Sequence, residues 1–575
     1  MSTLAALAEA GRETRASWRR RTTLGTAAFA VAAIVPFAIG DARTADLADG
    51  LYLACAAVGL ALAVGVAGLP CLAQGAFVAV GAVAAAHLLA HGMPTAVAAL
   101  AGALAGGLAG GLVGAAFARL PPAGFAAATW IVSWLVAFGL QSVPSMLGGS
   151  KGIVVAGGPS PAQHYEVALG LTALAVLGYA ALARSPFGLA LAAAREREPA
   201  ARALGVPTTR LRAAAVAAAG AVAGLSGALA VQLAGVGDPA RYGPFLSFKL
   251  FVVVLVGGGL AALGPPAGVV VLGVLSLAAD ALGSLEHVAA AQAHELLAAI
   301  MLLGIVSLGW DGIVRPAGRD RRAGDQAVPA RAAPASLSAF SIGKRFGSLA
   351  AAEDVSLIVE PGRITALVGP NGSGKTTVLR LLAGALAPDS GRIDRAEGGV
   401  ARTLQSTAVF STLTPVEHLL VASSPRRRRA GFLRSLLATP QARAEEAAFV
   451  TEALRVLARF GLAAHADIRA GELPVSEQRL LMLAAAYATG ASILLVDEPT
   501  AGASATESTR VIEQLRSLRE EGLGLLVVEH NLGVVRRLAD RIVVLDAGRV
   551  IAQGTPDEVA ADERVRAVYL GRQSL

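Results

Sequence analysis

The sequence predicts two parts of different class within one chain of 575 residues. The first is an all-α polytopic membrane bundle of about ten spans, and the second is an α/β P-loop nucleotide-binding domain. Three observations carry this reading. No Asp, Glu, Lys or Arg stands between Gly50 and Ala118, a stretch that as helix is about 100 Å long, or roughly three crossings of a ~30 Å hydrocarbon core. Gly369-Pro-Asn-Gly-Ser-Gly-Lys-Thr-Thr377 is a complete G-x-x-x-x-G-K-[ST] loop. Ile493–Val496 is fully apolar and runs into Asp497-Glu498, the pattern of a buried parallel strand that delivers carboxylates at its end.

The composition agrees. A hydrophobic share of 55% with only 16% charged residues is too apolar for an average soluble enzyme. The net charge of +8 does not imply nucleic acid, because the basic residues cluster at membrane flanks and in loops, where they report topology. Cys55 and Cys71 lie in apolar segments and offer neither metal spacing nor a disulfide framework, so they read as small buried residues.

The organisation expected is a cytoplasmic N-terminal segment over 1–23, a transmembrane domain over 24–315, a linker over 316–336 and the nucleotide-binding domain over 337–575. Arg12, Arg15, Arg19, Arg20 and Arg21 precede the apolar run Leu24–Gly40. A cleaved signal peptide would look similar; we read the run as a first spanning helix with its N-terminus in the cytoplasm. Further spans are expected near 51–69, 75–91, 94–118, 123–143, 167–183, 213–234, 246–263, 267–284 and 291–309, with Gly68-Leu-Pro70, Pro121-Pro122 and Gly264-Pro-Pro266 as helix breakers. The last three are short and carry Lys249, Asp280 and Glu295, so half-helices are an alternative there. Arg119, then Arg184 to Arg212, then Arg315 to Arg322 fall on the inner side of this topology, and Arg43, Lys151 and Arg241 on the outer. The positive-inside bias therefore places the nucleotide-binding domain in the cytoplasm and the chain in the cytoplasmic membrane, in contact with lipid. Between two spans, Pro199 starts and Gly205 ends a short helix over 199–204, readable as a solvated connector or as a lever on the ATPase.

The chemistry of the second half follows from residue types. Backbone N–H groups of Gly369, Pro370-flanked Asn371, Gly372, Ser373, Gly374, Lys375, Thr376 and Thr377 close around phosphates, which a Cβ at the glycines would obstruct. Lys375 reaches the β- and γ-phosphates, Thr376 ligates Mg²⁺, and the helix N-terminus adds its positive dipole end. Asp497 holds Mg²⁺ through water, and Glu498 polarises the attacking water as general base. ATP and Mg²⁺ are thus the expected cofactors.

Several segments carry a family resemblance. Gly65-Val-Ala-Gly-Leu69, Gly75–Gly81, Leu147–Ile153, Ser185-Pro-Phe-Gly188, Ala203-Leu-Gly-Val206, Ala223–Ala228 and Val256-Gly-Gly-Gly259 resemble the permease of branched-chain amino acid ABC importers, over about 48–310. Arg345-Phe-Gly347, Ala401–Phe410, Arg541–Gly548, Gly554–Glu558 and Val568–Gly571 resemble the ATPase subunits of the same importers, over about 337–573. The resemblance implies an α/β P-loop ABC ATPase domain fused to its permease. It implies that Phe346 stacks on adenine, although an ordinary core aromatic would look alike. It further implies that Gln405 contacts Mg²⁺ and the attacking water and senses the membrane domain, and that His530, after the strand Leu525–Val528, contacts the γ-phosphate. For the short helix it implies coupling to the ATPase.

The chain also departs from that family. Where L-S-G-G-Q is expected before Gln478-Arg479 stand Leu473-Pro-Val-Ser-Glu477, the loop Ala501-Gly-Ala-Ser504 lacks an acid, and the stretch from Gly391 to Gln405 is short, so a hairpin is trimmed. Pro474 and Val475 hinder backbone approach to a partner's nucleotide, so this chain is expected to complete a partner's site poorly. Arg426–Arg429 reads as a solvated or lipid-facing patch.

The function expected is ATP-driven import of a small, neutral solute, branched-chain amino acids first, with urea or short amides as the alternative. A second permease and a second ATPase domain, from separate subunits or a second copy, and an extracytoplasmic solute-binding protein are the implied partners. The rivals are an ABC exporter, a non-transporting ATPase and a facilitator with a vestigial ATPase. Short, numerous spans argue against the first, the membrane half against the second, and intact Lys375, Asp497 and Glu498 against the third.

Overall fold

The computed structural model describes residues 40–143, 153–155, 158–286, 333–395, 399–403, 409–427 and 432–570, with a few isolated positions besides. The segment 1–23, the spans expected at 24–40 and 291–309, most of the 316–336 linker, and Gln405 lie outside the described residues. The chain divides into two compact units. Met1–Ala180 with Thr209–Gly318 forms one, and Ala181–Thr208 with Arg319–Leu575 forms the other.

Helices make the first unit. In chain order they are α1 (Asp41–Ala61), α2 (Gln74–Ala90), α3 (Thr95–Phe117), α4 (Pro122–Ser142) and α5 (Pro161–Arg184). After the excursion into the other unit come α8 (Thr208–Ala234), α9 (Pro244–Gly257) and α10 (Gly264–Glu286). Among the described residues five helices are long and apolar enough to cross a membrane, with α1 prolonged to Val66. α2, α9 and the apolar part of α10 are shorter, so the ten spans expected are not counted out here. Two boundaries differ from expectation for physical reasons. α1 begins at Asp41 rather than near residue 51, because a helix needs backbone hydrogen bonds, not apolarity, and an acid in the first turn suits the N-terminal dipole. α9 stops at Gly257, about 21 Å from its start, where Gly258 takes φ +100°. Pro122 and Gly264-Pro-Pro266 stand where new helices begin, as prolines in a first turn do, and so divide the helices where the sequence places the breaks.

Small residues and buried polar bonds hold this bundle together. A Cβ on Gly106 would overlap the Gly220 carbonyl, and one on Gly224 that of Gly102, so α3 and α8 meet backbone to backbone through glycines four apart. The Gln74 amide, wholly buried, donates to the carbonyls of Ala56 (2.9 Å) and Ala219 (3.2 Å), tying α2 to α1 and α8. The Ser133 and Ser247 hydroxyls lie 2.8 Å apart, and Ser247 accepts the Gly75 N–H. The break Ala67–Ala73 between α1 and α2 is stabilised by Thr129, whose hydroxyl accepts the Leu72 N–H. Each bond satisfies a group that lipid could not.

The second unit is an α/β domain. Its strands are β1 (Leu337–Phe346), β2 (Leu349–Val359), β3 (Ile364–Val368), β4 (Ser390–Asp394), β5 (Val400–Arg402), β6 (Ile493–Asp497), β7 (Gly524–Val528), β8 (Arg541–Asp546) and β9 (Arg549–Gly554). Six form a sheet in the order β9-β8-β3-β7-β6-β5, and three a second sheet in the order β2-β1-β4. All pairs of the large sheet are parallel except β8 with β9. β3, β6 and β7 are buried at every position, which is why they read as unbroken apolar runs. β4 and β5 pair with β1 and β6 rather than with each other, in keeping with the short stretch between them. The principal helices are α11 (Lys375–Leu382), α12 (Pro415–Ala422), α13 (Pro440–Arg459), α14 (Val475–Ala488), α15 (Ala505–Glu520) and α16 (Leu532–Leu538).

Residues 181–208 belong to this unit and contain two helices, α6 (Pro186–Glu196) and α7 (Glu198–Ala203). α7 is the short helix expected over 199–204, ended by Gly205 at φ +83°. α6 was not expected, although Ser185-Pro186 is an N-cap followed by proline at the first helical position. The Ser185 hydroxyl accepts the Gly188 N–H. At the end of α6 the Glu196 carboxylate accepts from the Ser411 N–H, the Thr412 N–H (3.2 Å) and the Thr412 hydroxyl (2.8 Å), in the loop before α12.

Candidate functional site

β3 delivers the chain into the Gly369–Thr377 loop and α11 carries it away, at a point where the sheet order places β3 between β8 and β7. In parallel sheets the crevice at such a point receives ligands. Gly369 at φ +153° and Gly374 at φ +101° make the turn. A Cβ on either would collide with the carbonyl of Leu545 or Ala351 respectively, so the cradle exists only with glycine. Asn371 and Gly372 are exposed at the loop crest, and Thr376 and Thr377 are half-buried in the first turn of α11.

Two features of this loop suit a polyphosphate. The Lys375 ammonium is buried and donates to its own loop, to the carbonyls of Gly369 (2.9 Å) and Pro370 (2.8 Å). Burial pushes its pKa down, opposed by the charges of Glu498 and Asp497. The Ser373 hydroxyl is buried and has no partner among the described residues. An ammonium bonded only to carbonyls and an orphaned hydroxyl both gain from phosphate oxygens.

Across the crevice, β6 ends in Asp497, whose side chain is 1% exposed. Burial pushes its pKa up, and the bond from Arg402 pulls it down. Arg402 lies at the end of β5, 3.1 Å from the carboxylate. Glu498 follows at φ +47°, its N–H held by the Val528 carbonyl at 2.9 Å. A non-glycine residue in the left-handed region is uncommon, and here it turns the carboxylate towards His530, with Oε1 to Nε2 at 2.7 Å. The structure therefore brings Glu498 and His530 together. Phe346 ends β1 and is 48% exposed, facing Leu349 across the hairpin, so it is free to meet a flat ring.

Three comparisons bear on this arrangement. Residues 46–306 match the family model described as the permease component of a branched-chain amino acid transport system. Residues 352–501 match the ABC transporter model, and 549–574 that of the branched-chain amino acid ATP-binding cassette transporter. The high-affinity branched-chain amino acid transport ATP-binding protein LivG of Escherichia coli K12 is 35% identical over 249 residues, covering 41% of this chain and 97% of LivG. The chain belongs to the branched-chain amino acid ABC transporter family. It joins that family's permease and ATP-binding components in one polypeptide, and its ABC domain is an ATP-hydrolysing one. The lipopolysaccharide export ATP-binding protein LptB of Haemophilus influenzae is 32% identical, covering 41% of the chain and 98% of LptB. A crystal structure of a nucleotide-free ATP-binding cassette is 28% identical, with a TM-score of 0.36, and covers 40% of this chain and 98% of that one.

Geometry adds residues to the transporter's site that the sequence reading passed over. Glu529, 3% exposed, accepts from the Thr500 N–H (2.9 Å) and hydroxyl (2.6 Å) through one oxygen and from the His530 N–H (3.2 Å) through the other. It thereby ties the turn after Glu498 to the backbone of His530. Arg402 and Thr403 close on Asp497 from β5. The signal for Glu529 was available: an acid directly after a buried strand is either solvated or bonded. For Arg402 there was none, since which residue faces Asp497 depends on the β5–β6 register.

Proposed function

We propose that the chain is the fused permease and ATPase half of an importer that moves branched-chain amino acids into the cell at the expense of ATP. The observation that supports this above others is the pairing, within one chain, of a branched-chain permease match over 46–306 with a LivG-like ATPase. The 32% identity to an export ATPase shows why the permease half matters: the ATPase alone is shared by import and export systems. Among the described residues five apolar helices of spanning length accompany it. We place the domain boundaries at 24–315 for the membrane part, 316–336 for the linker and 337–575 for the ATPase, the last cytoplasmic.

In this reading the Gly369–Thr377 loop holds the phosphates, Lys375 leaves its two loop carbonyls for phosphate oxygens, and Phe346 supports the adenine. Thr376, Asp497 and Gln405 are the residues that would hold Mg²⁺. Bound Mg²⁺ supplies charge neutralisation at the phosphates being separated. Glu498 orients and polarises the attacking water, and His530, hydrogen-bonded to it, faces the terminal phosphate. Hydrolysis needs a second permease and a second ATPase domain, and solute arrives from an extracytoplasmic binding protein.

The test is uptake of labelled leucine by cells expressing the chain with those partners, beside cells carrying Glu498→Gln. Uptake lost in the variant and competed by unlabelled valine is the expected result. Competition by urea or acetamide but not valine would move the substrate and leave the family standing. Efflux in place of uptake would overturn import.

A further inference from the structure

The end of β5 closes on Asp497 from two directions. The Thr403 N–H donates to the Leu495 carbonyl (2.9 Å), and the Thr403 hydroxyl accepts the Asp497 N–H (3.1 Å). The Arg402 guanidinium donates to the Asp497 carboxylate at 3.1 Å. The two side chains are 10% and 1% exposed. A carboxylate buried to this degree requires a counter-charge or proton. Lys375, the neighbouring cation, spends its hydrogen bonds on Gly369 and Pro370 instead. Arg402 is not fully satisfied there: its Nε is buried and has no partner among the described residues, and the pair lacks the two parallel bonds that fix arginine to carboxylate most firmly.

We propose that Arg402 is the resident counter-ion of Asp497 in the nucleotide-free protein and is displaced from it when metal-bound nucleotide arrives. The proposal rests on the reading of Asp497 as a metal-holding residue. Two cations on one buried carboxylate repel each other at low dielectric, so the guanidinium raises the Mg²⁺ concentration needed for loading. Arg402 is thus a positioning residue for Asp497.

The experiment uses the full chain in lipid nanodiscs, with Glu498→Gln to stop turnover, and follows a fluorescent ATP analogue as Mg²⁺ is titrated. Arg402→Gln lowers the Mg²⁺ midpoint about tenfold, the coupling of one close charge pair. Arg402→Lys, which keeps the charge without the planar fork, lowers it less. In metal-free buffer Arg402→Gln also lowers the thermal midpoint, and Mg²⁺ with ATP restores it. If Arg402→Gln fails to fold, the Arg402→Lys titration decides alone. Midpoints unchanged or raised in the variants that fold overturn the proposal, since Arg402 would then be neutral towards the metal or assist it. Nucleotide binding by the parent chain with no Mg²⁺ dependence would overturn the metal reading of Asp497, and this inference with it.

Discussion

Glu498 and His530 meet at 2.7 Å because the backbone on both sides is held, and Glu529 does most of the holding. Its two carboxylate oxygens bridge Thr500 and the His530 N–H, so its loss frees both arms of the pair at once. Misplacing reacting groups by about 1 Å costs on the order of a hundredfold. Glu529→Ala is therefore expected to lower the kcat for ATP by about 10- to 100-fold with KM nearly unchanged, measured as phosphate release at saturating and limiting ATP. A rise in KM with kcat intact would mean that Glu529 supports nucleotide binding instead. Glu529→Gln, which keeps an acceptor for Thr500, should retain more activity than Glu529→Ala.

Among the elements, α6 and the loop before α12 meet through Glu196, whose carboxylate takes two backbone N–H groups and the Thr412 hydroxyl. Water replaces the carboxylate as acceptor readily at this exposed site, so stability should change little. What is lost is a rigid link between the helix pair α6–α7 and the ATPase fold. Glu196→Ala should cut solute uptake several-fold while ATPase activity of the detergent-solubilised chain stays within about twofold; parallel losses of both would refute a linking role. One turn into α12, His418 is buried, its Nε2 accepting the Phe410 N–H at 2.7 Å and its Nδ1 3.2 Å from the Thr414 carbonyl. Burial pushes its pKa down to about 4, against raising contributions from the Thr414 carbonyl and from Glu196 and Glu417. The unfolded chain binds a proton on this residue below about pH 6.5, while the folded one does so only near 4. This stabilisation is therefore complete above 6.5, falls between 6.5 and 4, and is level below. Its full size is on the order of 3 kcal/mol. His418→Gln should flatten the dependence of the thermal midpoint on pH between 7 and 5, and an unaltered slope would show that other groups control it.

For the molecule as a whole, the departure at Leu473–Glu477 sets the question of assembly. α14 begins at Val475 with Pro474 before it and no side-chain cap, so its first turn presents neither the serine nor the glycines of the family's signature. If partner nucleotides are completed here, grafting Ser-Gly-Gly-Gln onto 474–477 should raise the ATPase rate of the assembled complex several-fold. Ser476→Ala abolishing hydrolysis would instead show the present loop to be fully competent.

The sequence by itself determined the class of each half, the phosphate loop, and Asp497 and Glu498 as candidates, because each rests on contiguous residues: an uncharged run, a glycine pattern, an apolar strand with its carboxylates; His530 became a candidate through the family resemblance. It also predicted α7 from Pro199 and Gly205 alone. It misjudged where α1 starts and where α9 stops, since helix limits depend on backbone bonding as well as hydropathy. Only the tertiary structure decided that Arg402 faces Asp497, that Glu529 braces Thr500 and His530, and that Glus at two distant places act on the same fold, as Glu196 does on the 411–412 loop. These are contacts between segments separated by 95, 29 and 215 residues, fixed by strand register and helix packing, and no local pattern encodes them.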